Sequence, residues 1–242
     1  MPTLGCLLAN REKAMATMIL LTTKNAVAKE MIKRYKAPKL KTPTYQQFDK
    51  LEKVYNEYKR TRDISILRYL FALCLRIRHG RRMPWKYTRV AVDKLVDSVI
   101  LTHSFYNFED LHEEVKSILA GIPFAQGPLM VYDTALTIGS LLGVLPQKLI
   151  YLYAGAWDGA VILKGPKIIQ HVMDVSPWQA PSLFPDIDSL DIENILCDLK
   201  SLFKKLNDTG VVTSDDIDKR LKPGKCLPFS DIDAQTKMGY VK

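Results

Sequence analysis

The signature motifs of several common catalytic sites are missing from this chain. Its 242 residues contain no GxxxxGK[ST] phosphate loop, no HExxH zinc helix and no GxSxG nucleophile turn. The four cysteines are far apart and form no CxxC pair, which argues against a zinc ribbon or a thioredoxin-type site. The sequence therefore predicts no metal and no cofactor.

Long uninterrupted apolar runs are also absent. The most apolar stretch, residues 117–163, carries formal charge only at Asp133, Lys148 and Asp158, but six glycines and three prolines interrupt it. A membrane span needs about 20 continuous apolar residues, so no integral membrane span is predicted. Glycine and proline at this density favour short, buried helices joined by tight turns. We expect this stretch to form the centre of the fold.

Alternating strand patterns are scarce, and helical periodicity recurs along most of the chain. The sequence thus predicts an all-α, compact multi-helix globular domain with a Gly/Pro-punctuated apolar helical centre. We expect a basic N-terminal arm or helix over 1–42, a helical core over 43–206 and a polar C-terminal tail over 207–242. The predicted helices begin near Arg11, Thr44, Ile64, Thr88, Phe108, Pro128, Leu190 and Ser214.

Acidic residues are rare in the first part of the chain. Residues 1–90 hold 21 Lys and Arg against 6 Asp and Glu, whereas residues 91–242 hold 14 against 20. Such asymmetry indicates that the basic part meets an anionic partner, of which nucleic acid is the commonest. An acidic protein, an anionic membrane surface, or a basic surface that serves solubility alone would give the same pattern.

The highest density of positive charge falls at one predicted turn, residues 76–89, where Gly80 and Pro84 break the helix. Trp85 and Tyr87 lie among the cations. Arginine grips phosphate in bidentate fashion and aromatic rings stack on bases, so the turn predicts nucleic-acid binding. Cations also stabilise a helix C-terminus without any ligand. The predicted phosphate contacts are Arg76, Arg78, Arg81, Arg82, Lys86 and Arg89.

The run ILAGIPFAQGPLMVYDTALTIG, residues 118–139, resembles the helix-hairpin-helix motif of DNA-binding proteins, including the DNA glycosylase superfamily. The resemblance implies a hairpin in which Gly121 and Gly127 approach phosphate and Pro128 begins the second helix. Three departures weaken it. Four residues lengthen the hairpin, and Leu129 stands where glycosylases place a polar residue. Asp133 is too close to the hairpin, and Asp158 too distant, to match the catalytic Asp of that family. A glycine-rich turn between two core helices is the alternative.

Asp133 and Asp158 are the two acids of the apolar stretch. If the two carboxyl groups were buried together, their pKa values would rise, and one of the two residues would be a candidate general acid or base. Helix capping is the favoured interpretation of both residues.

The sequence predicts a nucleic-acid-binding helical protein without enzymatic activity. The alternatives are a protein–protein interaction module that docks an acidic partner, and a glycosylase-like enzyme that uses a buried Asp. We expect an intracellular location, cytoplasmic or nucleoid-associated. The spacing of the cysteines does not indicate disulfide pairs, and lysines follow the short apolar N-terminal run. An organelle-targeting presequence is the alternative for residues 1–42. Exposed apolar helix faces would also allow a homo-oligomer.

Overall fold

The computed structural model describes residues 19–35, 43–78, 83–147, 149–164, 172–174 and 187–221. These residues are predominantly helical, which confirms the predicted all-α class. The α-helices are α1 (Lys24–Tyr35), α2 (Pro43–Thr61), α3 (Ile64–Arg76), α4 (Trp85–Asp97), α5 (Phe108–Leu119), α6 (Pro128–Leu142), α7 (Ala154–Lys164), α8 (Ser189–Thr209) and α9 (Ser214–Leu221). A short 3-10 helix, Ile100–Thr102, follows α4.

Two minimal antiparallel sheets join distant parts of the chain. Strand β1 (Leu20–Leu21) pairs with β4 (Val212–Thr213), and β2 (Leu149–Tyr151) pairs with β3 (Val172–Asp174). The first pairing places the N-terminal segment beside the C-terminal helices. Strands of two or three residues are too short to show an alternating pattern, so they could not be predicted from the sequence.

Several helix ends follow the local chemistry that the sequence predicts. The Asp63 side chain accepts a hydrogen bond from the Ser65 N–H, and the Asn107 side chain accepts one from the Asp110 N–H. Pro128 begins α6, where its missing N–H costs nothing. Three starts differ from prediction. The helix predicted from Arg11 begins at Lys24, because Leu20 and Leu21 form strand β1. Helix α2 begins at Pro43, so Thr44 lies inside it, and α4 begins at Trp85 and ends at Asp97.

Helices α2 to α6 enclose the first hydrophobic core. The predicted apolar helix α3 contributes an almost continuous buried run, residues 69–76, because it contacts α2, α4 and α6. Leu111, Val115 and Leu119 of α5 and Ala135 and Leu136 of α6 are fully buried in the same core. The apolar stretch thus contributes central packing, as its composition predicts.

A second core lies around α8. Helix α1 buries Val27, Ala28 and Met31 against it, and α7 packs along its length. Residues 24–35, predicted as part of an arm or helix, therefore form a packed helix; residues 11–18 of the candidate helix lie outside the described part of the chain. Helix α9, predicted near Ser214, closes this core with Ile217.

Strand β2 lies at the boundary between the two cores. Ile150 and Leu152 belong to the second core, whereas Tyr151 points into the first, as the alternation of side chains along an extended chain requires. Leu190 of α8 also reaches the first core. The two cores are therefore continuous through β2 and the start of α8.

Candidate nucleic-acid interface

Arg76, a predicted phosphate contact, faces inward. Arg76 is only 4% exposed, and its Nη1 donates a hydrogen bond to the Met83 carbonyl at 2.9 Å. The guanidinium carbon lies 4.1 Å from the centre of the Trp85 ring. The side chain thus ties the end of α3 to the start of α4 across the turn. This burial corrects the prediction that Arg76 contacts phosphate.

Arg78 is also committed to the interior. Its Nε lies 2.6 Å from Asp133 Oδ1, and its Nη2 lies 3.6 Å from Glu193 Oε1. The Tyr132 hydroxyl donates to Glu193 Oε2 at 2.7 Å. These four side chains, Arg78, Tyr132, Asp133 and Glu193, form a buried polar junction between the two cores. Arg78 is accordingly a structural cation, and its predicted phosphate contact is corrected.

The electrostatics of the buried polar junction raise the pKa of Arg78 and the pKa of Tyr132. Burial disfavours the charged form of Arg78, but Asp133 and Glu193 outweigh that cost and hold its pKa above the usual range. Burial, followed by the negative charge of Glu193, raises the pKa of the Tyr132 phenol, which therefore remains a donor. The arrangement pairs one cation with two acids.

The candidate catalytic acids do not share a site. Asp133 lies in the middle of α6 within the buried polar junction, so it is not a cap. Asp158 lies inside α7 and pairs with Lys200 at 2.5 Å, with 44% of its side chain exposed. The favoured capping interpretation is wrong for both residues, and the two acids are not buried together.

The remaining predicted cations have different placements. Arg81 and Arg82 lie outside the described residues. Lys86 and Arg89 are exposed on α4. At about 100° per residue, Tyr87 and Lys94 lie on one flank of the helix and Arg89 on the opposite flank, with Lys86 between them. Lys86 Nζ lies 4.8 Å from the centre of the Tyr87 ring.

The predicted hairpin forms between α5 and α6. Gly121 has φ +76°, a backbone conformation that glycine adopts without strain. Its N–H donates to the Gln126 side-chain oxygen at 3.0 Å, and Ile122 and Ala125 are buried beneath the turn. Gly121 therefore shapes the hairpin, and its own N–H already has an acceptor. Gly127 precedes α6 without a side-chain cap.

The hairpin lies against the flank of α4 that carries Tyr87 and Lys94. The Phe124 ring centre lies 5.4 Å from that of Tyr87, and Lys94 Nζ donates to the Ala120 carbonyl at 3.2 Å. Val90, between the two contacts, is half exposed. We call this set the hairpin surface: Lys86, Tyr87, Val90 and Lys94 of α4 with residues 120–127.

Two members of the hairpin surface were missed by sequence reasoning. Phe124 lies inside the Gly/Pro-rich turn, and neither its exposure to solvent nor its positive φ is signalled by its neighbours in sequence. Lys94 belongs to a helix whose exposed face carries both signs of charge, so no pattern distinguished it. Residues 117–131, which include the hairpin, carry no formal charge, so the positive charge of this surface comes from α4.

A carboxylate on the first turn of α8 is partly buried without a donor. Asp191 Oδ1 has no hydrogen-bond partner, and burial followed by nearby Asp188 raises the pKa of Asp191 to about 7. The folded chain therefore binds this proton more tightly than the unfolded chain does. Ionised Asp191 therefore destabilises the fold in full above that pKa. This effect fades as the pH falls towards about 4, the usual pKa of an aspartate.

Replacing Asp191 with Asn is expected to stabilise the fold by about 1 kcal/mol at alkaline pH, after allowance for solvent screening. The gain should shrink steadily as the pH falls from about 8 to about 4. Urea denaturation across this pH range measures it. Glu52→Gln, on the exposed face of α2, is the matched control and should show no such trend. A gain that does not change with pH would contradict the assignment.

Within the described ranges, no group of three or more His, Cys, Asp or Glu side chains is placed to hold a metal ion. Among the helices of the same ranges, none combines the length and apolar content needed to cross a membrane.

Comparisons with known proteins yielded no match: no family model, no curated protein and no solved structure is similar to this chain. The resemblance to the helix-hairpin-helix motif therefore stays a prediction from residues 118–139.

Proposed function

We propose that this chain binds nucleic acid through the hairpin surface. The observation that carries the proposal is that the Tyr87–Phe124 ring pair shares one surface with two lysines, Lys86 over the Tyr87 ring and Lys94 at the Ala120 carbonyl, against a turn without acidic residues. Cations beside exposed aromatic rings suit a polymer that offers phosphates and bases together. The predicted contacts Lys86 and Gly127 remain part of this proposal.

Lysine chemistry supports phosphate binding on this surface. Lys94 gives one hydrogen bond to Ala120, and an ammonium group has three donors, so two remain for a ligand. A Cβ atom placed on Gly121 or Gly127 would meet nothing within 4 Å, so the space beside the hairpin backbone is open to an approaching phosphate. Helix α6 begins at this point and directs its positive dipole end towards the same space.

The double variant Lys86→Ala/Lys94→Ala tests the proposal. We expect roughly tenfold weaker binding to a short labelled oligonucleotide at about 50 mM salt. The slope of log affinity against log salt should fall by about 0.7 for each phosphate contact that is lost with a single strand. Fluorescence anisotropy over a salt series measures both quantities.

The matched control removes the same charge elsewhere. Lys204 and Lys219 are exposed on α8 and α9 of the second core, so Lys204→Ala/Lys219→Ala should leave both affinity and salt slope close to wild type. Equal losses in the two double variants would mean that net charge alone drives binding, and the proposal would fail. No binding at low salt, with capture of poly-glutamate instead, would favour the acidic-partner alternative.

A further inference from the structure

Phe124 occupies a backbone conformation that a phenylalanine rarely adopts. Its φ is +68°, and 60% of the residue is exposed. A bulky side chain in the left-handed region is a genuine outlier, which glycine would avoid. Most of the ring is in solvent, so burial in the core does not compensate for the strain. Strained, exposed residues of this kind are concentrated at ligand-binding sites.

We infer that Phe124 stacks on an unpaired base, so that the hairpin surface prefers single-stranded nucleic acid. The inference rests on the proposed function and names its ligand class. Tyr87 supports the Phe124 ring from one side at a ring-centre distance of 5.4 Å with the planes tilted by 37°. A base that stacks on the exposed part of the Phe124 ring would continue this arrangement. Inside a duplex each base is already stacked on both faces, so only the two end pairs offer a free face to such a ring.

The cations fit the same ligand. Lys86 lies over the Tyr87 ring and Lys94 reaches the Ala120 carbonyl of the hairpin, so two positive charges lie on the surface that carries the ring pair. A single strand that crosses the hairpin surface would place successive phosphates near these charges while one base turns towards Phe124. Sequence preference is expected to be weak, because every base has a face that stacks.

The test compares Phe124→Ala with wild type on a single strand and on a blunt duplex of the same sequence. We expect about tenfold weaker binding to the single strand, within the range measured for the loss of one base–aromatic stack. Duplex affinity, which depends on the lysines, should change less than about twofold. A fluorescent adenine analogue in the single strand should be quenched on binding to wild type and remain bright with the variant.

Two further variants separate stacking from damage to the hairpin. Phe124→Gly relieves the positive φ, so it should fold at least as stably as Phe124→Ala and still lose the single-strand affinity. Tyr106→Ala removes another exposed ring, 96% exposed, just before α5. The 12 residues of α5 separate it from the hairpin by about 18 Å along the helix axis. This control should bind as wild type does.

The outcomes distinguish the inference from the proposed function. If the lysine variant loses affinity and Phe124→Ala does not, or if Phe124→Ala weakens duplex and single strand equally, the stacking inference is wrong and the hairpin surface still binds phosphates. If wild type binds neither oligonucleotide, the proposed function is itself wrong.

Discussion

Replacing Asp133 with Ala is expected to lower the free energy of unfolding by about 3–5 kcal/mol, the largest effect of any single polar substitution considered for this fold. The change removes the closest acid from Arg78 and leaves its guanidinium buried with Glu193 at 3.6 Å. Leaving a buried cation without its main partner costs far more free energy than the intact ion pair contributes to stability. Urea denaturation followed by circular dichroism measures the loss.

Asp158→Ala is the matched control, because it removes an ion pair of similar length from an exposed position. Surface pairs contribute about 0–1 kcal/mol, so this variant should remain close to wild type. The triple variant Arg78→Met/Asp133→Leu/Glu193→Gln should recover much of the loss, since all three charges leave the interior together. A loss below about 1 kcal/mol in Asp133→Ala would contradict the view that the buried polar junction depends on this pair.

Replacing Gly159 with Ala is expected to destabilise the fold by about 2 kcal/mol net. A Cβ atom at this position would lie 2.0 Å from the Leu196 carbonyl oxygen, which is backbone of α8 and cannot rotate away. The two helices would have to separate. Overpacking of this kind costs about 3 kcal/mol, and the better helix propensity of Ala offsets about 1 kcal/mol.

Gly155→Ala is the corresponding control one turn earlier on α7. Its added Cβ would meet the Cys197 sulfur at 2.6 Å, and that side chain can move aside. The gain in helix propensity should then nearly balance the cost, and the urea midpoint should change little. If Gly159→Ala is as stable as Gly155→Ala, the close approach of α7 to α8 is not required for stability.

Local signals predicted much of the helical structure. Asp63, Asn107 and Pro128 mark helix starts that the structure confirms, because capping and proline preferences depend only on neighbouring residues. Helices α8 and α9 were likewise predicted from their periodicity. The two cores were not predicted, because the second one depends on β1 meeting β4 from opposite ends of the chain.

The candidate site was predicted less well, for a related reason. A cluster of arginines after an apolar helix shows charge, but it does not show which side chains turn inward. Arg78 turns inward because Asp133 and Glu193 meet it from helices that are distant in sequence. The Gly/Pro pattern did predict a turn at 120–127, whereas the side chains that α4 places against it became visible only in three dimensions.

The most direct test of the account is a hydrogen-exchange footprint of the full chain with and without a saturating single-stranded oligonucleotide. We predict slower exchange of backbone amides in peptides that cover residues 119–128 and 85–94, with no change in α8 or α9. Protection centred on residues 79–82 would move the interface to the predicted arginine turn. Protection confined to the second core, or none at all under conditions where binding is saturated, would contradict the assignment of nucleic-acid binding to the hairpin surface.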